Sequence, residues 1–269
     1  MTAAPDRRAR RARARLSTAA LVLLGVAGLV AAVIVGHYRT TPPTTPSVPD
    51  PAPAPQASGD AAAERALATR LMLWLPAEAA QPHDLTTREA GPAITVPAPS
   101  TQAGQWIPTA FPQSPEGALA QLAALDQTGV AGGDPDTYGR AYADLALPGA
   151  PDVAGSGLYT VLSRFRRATG VAAGEATAGL SVRYEVTHGL VKGTTDDGGF
   201  AVVCVLGQLS TDVHGYGTTL GIGDCQAMRW TAGGWRISDG PRAAYASSAW
   251  PGTTEAVSAG YRALSGSPR

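Results

Sequence analysis

The 269-residue chain has no asparagine and a single lysine, Lys192. Without asparagine there is no N-x-[ST] acceptor, so N-linked glycosylation is excluded. Turns must be made by Gly, Pro and Asp. Cysteine is scarce as well, and neither Cys204 nor Cys225 belongs to a CxxC or Cys-His cluster that would hold zinc. Both lie far downstream, which excludes a lipid-modified N-terminal cysteine. The four histidines, His37, His83, His188 and His214, are scattered. GxSxG, GxxxxGK[ST] and HExxH are missing, which removes the hydrolase elbow, the P-loop and the zinc-protease helix. No cofactor and no metal are expected.

The formal net charge of zero hides an asymmetry. Residues 1–15 form a basic tail with Arg7, Arg8, Arg10, Arg11, Arg13 and Arg15. Leu16–Gly36 follows without a charged residue. As a helix this run spans roughly 30 Å, the thickness of a bilayer's hydrocarbon core. Arginines on its N-terminal side predict a cytoplasmic N-terminus and an exported remainder, a single-pass membrane protein with an extracellular domain. A cleaved signal peptide is the rival reading. The length of the run, and a following VIVGHYRTT without a small-residue cleavage site, favour the uncleaved signal-anchor. Seven of the 21 basic residues and one of the 21 acids, Asp6, precede residue 50. The exported part therefore carries 14 basic and 20 acidic residues, which argues against a nucleic-acid partner on that side.

Residues 37–59 form a linker whose stretch 40–59 holds seven prolines and almost nothing to bury. Such a chain favours polyproline II at about 3.1 Å per residue and acts as a semi-rigid spacer. Residues 60–113 read as a helix, with Leu67, Leu71 and Trp74 on one stripe ended by Pro76, then an irregular extended segment with a strand near Ala93–Val96. Trp106 and Phe111 are expected to anchor that segment.

The domain proper is expected over 114–269. Ser114-Pro115-Glu116 and Asp134-Pro135 each place a capping oxygen before an N1 proline, and Ser156 caps a third helix closed by Gly170. Leu158, Val161, Leu162 and Phe165 face inward on this third helix and its arginines outward. After residue 179 the period changes to two: Leu180, Val182, Tyr184 and Val186 alternate with polar residues. TTDDGG (194–199) is a turn before FAVVCVLGQL, apolar on both faces and so central in its sheet. STDVHGYGTTLGIG reads as a glycine-rich connection, then DCQAMRW and WRIS as a hairpin. A last helix from Thr253 puts Val257, Tyr261 and Leu264 on one face. The expectation is an α+β fold: helices packed on a curved antiparallel sheet of about four strands. Cys204 and Cys225 fall mid-strand on neighbouring strands of an exported domain, where a disulfide would persist. A buried free thiol and half of a metal site are the other readings.

The one acid–base grouping is Asp212, His214 and Asp224, with Asp196 or Asp197 as further members. Asp and His together support general-base chemistry only if the fold brings them beside a nucleophile. Loop residues of these types are more often simply solvated. Trp106, Trp230, Trp235 and Trp250 either line a ligand groove or pack the core and edges.

FPQSPEGALAQLAAL, GFAVVCVLGQL, CQAMRWTAGGWRIS and AWPGTTEAVSAGYRAL resemble segments of uncharacterised actinobacterial single-pass membrane proteins, some on mobile elements. The likeness covers about residues 106–264. In layout the chain is similar to the bitopic scaffold subunits of type IV secretion and conjugation machines, whose domains have a cystatin-like or nuclear-transport-factor-like cone. That resemblance implies a non-catalytic, membrane-anchored ectodomain making contacts with envelope protein partners, or with further copies of itself. The alternative is a small-molecule-binding or enzymatic domain using the concave face of the sheet.

Overall fold

The structure, a computed structural model, describes residues 59–100, 106–175 and 178–266. The basic tail, the apolar run at 16–36 and nearly all of the proline-rich linker lie outside the described residues. No helix among the described residues is long and apolar enough to cross a membrane.

The chain enters at α1 (Gly59–Thr69), passes a short strand β1 (Ile94–Thr95), and forms three successive helices: α2 (Pro115–Val130), α3 (Pro135–Leu145) and α4 (Gly157–Thr169). Ser114 Oγ accepts from the Gly117 amide, Asp134 from Asp136 and Thr137, and Ser156 from Tyr159. Each cap satisfies donors that a helix start otherwise leaves orphaned, worth about 1 kcal/mol. Gly170, at φ 69°, closes α4 in the left-handed conformation that its sequence announced.

Four strands follow: β2 (Leu180–Thr195), β3 (Phe200–Val213), β4 (Tyr216–Thr231) and β5 (Gly234–Ile237). After a single helical turn, α5 (Thr254–Ser258), comes β6 (Arg262–Ser265). The sheet has six strands rather than four, in the order β1-β6-β2-β3-β4-β5, antiparallel except for the β1–β6 pair. Register shifts in β2 at Val186/His188 and Val191/Gly193 are bulges that curl it.

Two expectations fail for identifiable reasons. The glycine-rich stretch 210–223 is not a loop. It is the continuous arms of the β3–β4 hairpin, paired from Phe200↔Arg229 to Val213↔Tyr216. The turn is only His214-Gly215, both at positive φ (53° and 87°), the two-residue hairpin connection that favours Asn-Gly. Gly221 and Gly223 are there for another purpose. A Cβ on Gly221 would sit 1.8 Å from the Ala249 carbonyl, and one on Gly223 2.5 Å from that of Ser247. The coil before α5 lies flat on β4 because these positions lack side chains. The expected last helix also stops early, since Gly260 (φ 90°) ends it with bonds from Gly260 N to Val257 O and Tyr261 N to Ala256 O. Tyr261 and Leu264 therefore belong to an extended segment, not to a helical face.

Both faces of the sheet are covered. Val182, Tyr184, Ala201, Val203, Val205, Ile222 and Met228 pack under α2, α3 and α4. Phe200, Val202, Cys204, Leu206, Cys225 and Ala227 pack on the opposite side under Ala68 of α1, the coil at Ala243–Ala249, and Tyr261. The apolar-on-both-faces reading of β3 is thereby realised. Cys204 and Cys225 stand directly opposite each other in the β3–β4 ladder and are joined as a disulfide within the outer layer.

Candidate functional site

The ladder decides the fate of the acid–base grouping read from the sequence. Asp212 is opposite Gly217 at one end of the hairpin, whereas Asp224 is opposite Val205. Seven residues of strand separate these rungs, about 23 Å. Asp212 spends a carboxylate oxygen on the Gly215 amide at 2.9 Å, which shapes the turn, and His214 is exposed at its tip. Asp196 and Asp197 lie in the β2–β3 turn at the other end of the sheet, both at positive φ. Asp196 faces Arg229, whose guanidinium also meets Glu64 at 2.7 Å and Asp239 at 3.5 Å and sits over the Phe200 ring. That hub ties α1 to the sheet. The five residues are spread over the whole sheet and share no site.

The tryptophans do not form one groove either. Trp230 and Trp235 pack edge to face, 5.5 Å between ring centres, with Trp235 donating to the Pro112 carbonyl at 2.8 Å. Phe111 is buried and pins its segment as expected, but Trp106 is 47 % exposed and anchors nothing comparable. Trp250 belongs to the coil that crosses Gly221 on the opposite face. A shallow cleft of about 520 Å³ beside Trp230 is lined by Phe111, Pro112 and Ala232 among others. It contains no titratable side chain.

Where chemistry-bearing groups do converge is the interior between helices and sheet. Asp224, even-numbered like Ile222 and Met228, projects to the helical side and is only 4 % exposed. It accepts from Gln226 Nε2 at 2.8 Å, and burial pushes its carboxyl up to about 6. Asp126 of α2 is fully buried, accepts from the Tyr138 hydroxyl at 3.2 Å, and leaves Oδ2 without a hydrogen-bond partner among the described residues. Burial, reinforced by the charge of Asp224, holds its carboxyl well above the usual range. Tyr138, Tyr142 and Tyr184 close the space, and burial raises all three phenols. Asp126 carries no motif in the sequence, yet it falls seven residues after Leu119 and four after Leu122, on the inward stripe of α2. An acid at that spacing is the signal that would have found it.

Arg166 is a second reversal. Read as outward, it is buried on α4 and donates to the carbonyls of Gly132, Gly133, Ala172 and Glu175. It clamps the loops at both ends of the α3–α4 unit. This role is structural.

The surface offers one marked feature. The helix expected to continue through Leu75 stops at Thr69, because its end is taken up by tertiary bonds: Ala68 O accepts from the Ala244 amide, and Arg70 and Lys192 exchange side-chain-to-carbonyl bonds. Burial lowers Lys192, the sole lysine, to about 8. Ser247 holds the Leu73 carbonyl. The chain is thus pinned in an extended form that turns Leu71 (84 % exposed), Leu73 (46 %) and Trp74 (53 %) toward solvent. Leu67, Met72 and Leu75 pack on the outer core instead. Comparison with protein-family models, with curated proteins and with solved structures found no match.

Proposed function

We propose that this protein is a non-catalytic, membrane-anchored ectodomain that makes protein–protein contacts in a cell-envelope assembly, of the kind built by conjugation machines. The observation that carries this reading is the exposed run Leu71, Leu73 and Trp74, held in place by side-chain bonds from Ser247 to the Leu73 carbonyl and from Lys192 to the Arg70 carbonyl. Large apolar side chains exposed on a pinned segment form a contact surface. Burying them would release about 4 kcal/mol. That is too little to hold a free partner against the cost of association. It suffices when both partners are confined to one membrane, or when several such contacts act together. The apolar run at 16–36 supplies that confinement in this reading, and the linker supplies the reach.

The test is site-specific photocrosslinking in the native envelope, with a photoreactive residue replacing Leu71 in the full chain. A discrete protein adduct, lost when Trp74→Ser is added, supports the contact surface. Adducts no more frequent than those from Arg183, which is exposed on β2, would refute it.

The enzymatic alternative draws its one support from Asp126, Asp224 and Tyr138, two carboxyls and a phenol in different environments. Substrate would have to reach groups sealed beneath the helices, which places the weight on the contact surface.

A further inference from the structure

Two carboxyl groups inside a helix–sheet interface need a physical account, because burying ionised carboxylates is among the costliest operations in folding. The groups that face them can be named element by element. On α3 these are Tyr138, which donates to Asp126, and Tyr142, whose hydroxyl donates to the Pro151 carbonyl. On β2 it is Tyr184, whose hydroxyl donates to the Ile222 carbonyl at 2.7 Å. On β4 it is Gln226, and from α4 the amino-terminal turn approaches, a Cβ on Gly157 lying 3.8 Å from Asp224 Oδ1. Arg242, on the coil after β5, acts on Asp224 through its charge but gives its hydrogen bond to the Asp152 carbonyl. Among the described residues, no cation is in hydrogen-bond contact with either carboxylate.

The two acids are therefore unequal. Asp224 has the Gln226 amide, the Cys225 backbone N–H, a helix start and the charge of Arg242 to support a negative charge. Asp126 has one phenol, an orphaned oxygen and a carboxylate as its electrostatic neighbour. A proton on Asp126 removes both the unpaired charge and the repulsion in a single step.

We propose that Asp126 and Asp224 form a proton-binding lock between the helical layer and the sheet, which holds the domain more tightly in acidic surroundings than in alkaline ones. The direction follows from linkage. An acid raised by folding keeps its proton where the unfolded chain releases it. Stability is greatest below the unfolded value near 4 and falls as pH rises through the folded values, about 6 for Asp224 and well above the usual carboxylate range for Asp126. A pair of ordinary surface carboxylates would leave the profile flat or give it the opposite slope.

The experiment is thermal unfolding of the full chain in detergent, followed by near-ultraviolet circular dichroism from about pH 4 to about pH 9. Wild-type Tm should fall by about 5 °C or more across that range. Asp126→Asn, which keeps the shape and cannot ionise, should flatten the fall and stand above wild type at the alkaline end. A wild-type profile that is flat or rises with pH overturns the proposal, as does a fall that persists unchanged in Asp126→Asn. Infrared spectroscopy of the wild type gives a second measurement should that variant fail to fold. A carboxylic-acid C=O band surviving at neutral pH supports the lock, and its absence refutes it.

Discussion

Removing the disulfide tests how the outer layer is held. The perturbation is the double substitution Cys204→Ala and Cys225→Ala. The bond closes a loop with a sequence separation of 21 residues. On the chain-entropy account, opening it frees the unfolded state by about 3 kcal/mol. Loss of two buried sulfurs from the packed outer layer adds about 1 kcal/mol more. Together these lower Tm by about 10 °C in a domain of this size. The assay is urea unfolding of the full chain in detergent, with tryptophan fluorescence as the signal and the unfolding slope compared between variants. A loss below about 1 kcal/mol at unchanged slope would refute the reasoning. It would mean that the unfolded β3–β4 hairpin already keeps its strands together. The same geometry predicts a kinetic result. Cys204 is 0 % exposed and lies beneath the α1 and coil layer, so added thiol reductant cannot reach it until that layer opens. Rapid reduction without loss of the folded signal would refute this cover.

Tyr261 is buried in the same layer and donates to the Ser247 carbonyl at 2.8 Å. Tyr261→Phe should cost about 1 kcal/mol and Tyr261→Ala about 4 kcal/mol in denaturant melts, with disulfide reduction accelerated in step. Equal costs for the two would show that the ring contributes nothing. His214→Asn, placing Asn-Gly at a turn with both residues at positive φ, should raise stability by about 0.5 kcal/mol and leave host complementation unchanged. Loss of complementation at normal envelope levels would return His214 to candidacy as a chemical residue.

The helical layer was legible because its signals are local. Ser114-Pro115, Asp134-Pro135 and Ser156 each carry a start within a few residues, and Gly170 carries a stop. The alternation from Leu180 to Val186 was legible for the same reason. What failed were features whose cause lies far along the chain. Gly221 and Gly223 look like loop glycines until the coil at 247–249 is laid on them. Tyr261 and Leu264 keep a helical spacing from Val257, yet Gly260 breaks the helix and β6 pairs with β2 through His188↔Ala263 and Gly189↔Arg262. Leu71 and Trp74 continue the stripe of α1, but Lys192 and Ser247, remote in sequence, draw the chain out straight. A spacing argument cannot see a distant hydrogen-bond partner.

The candidate site shows the same division in a sharper form. Asp212 and His214 are two residues apart and suggested a pair, although on a strand-and-turn path such neighbours are engaged by the turn itself. Asp224 joins them in the sequence only through proximity, in a glycine-rich stretch that reads as loop but is strand. Once 210–223 is strand, parity assigns its place. Cys225 faces the outer layer, so its neighbour Asp224 must face the helices, and from there its charge acts on Asp126 of a helix almost a hundred residues earlier. The cysteine pair thus held the missing constraint, because joining Cys204 to Cys225 fixes both the register of the hairpin and the face of every residue on it. An acid forced inward by that parity has to be neutralised or supported. The unequal surroundings of Asp126 and Asp224 do the two tasks separately: a proton on Asp126, and Gln226 with the start of α4 for Asp224.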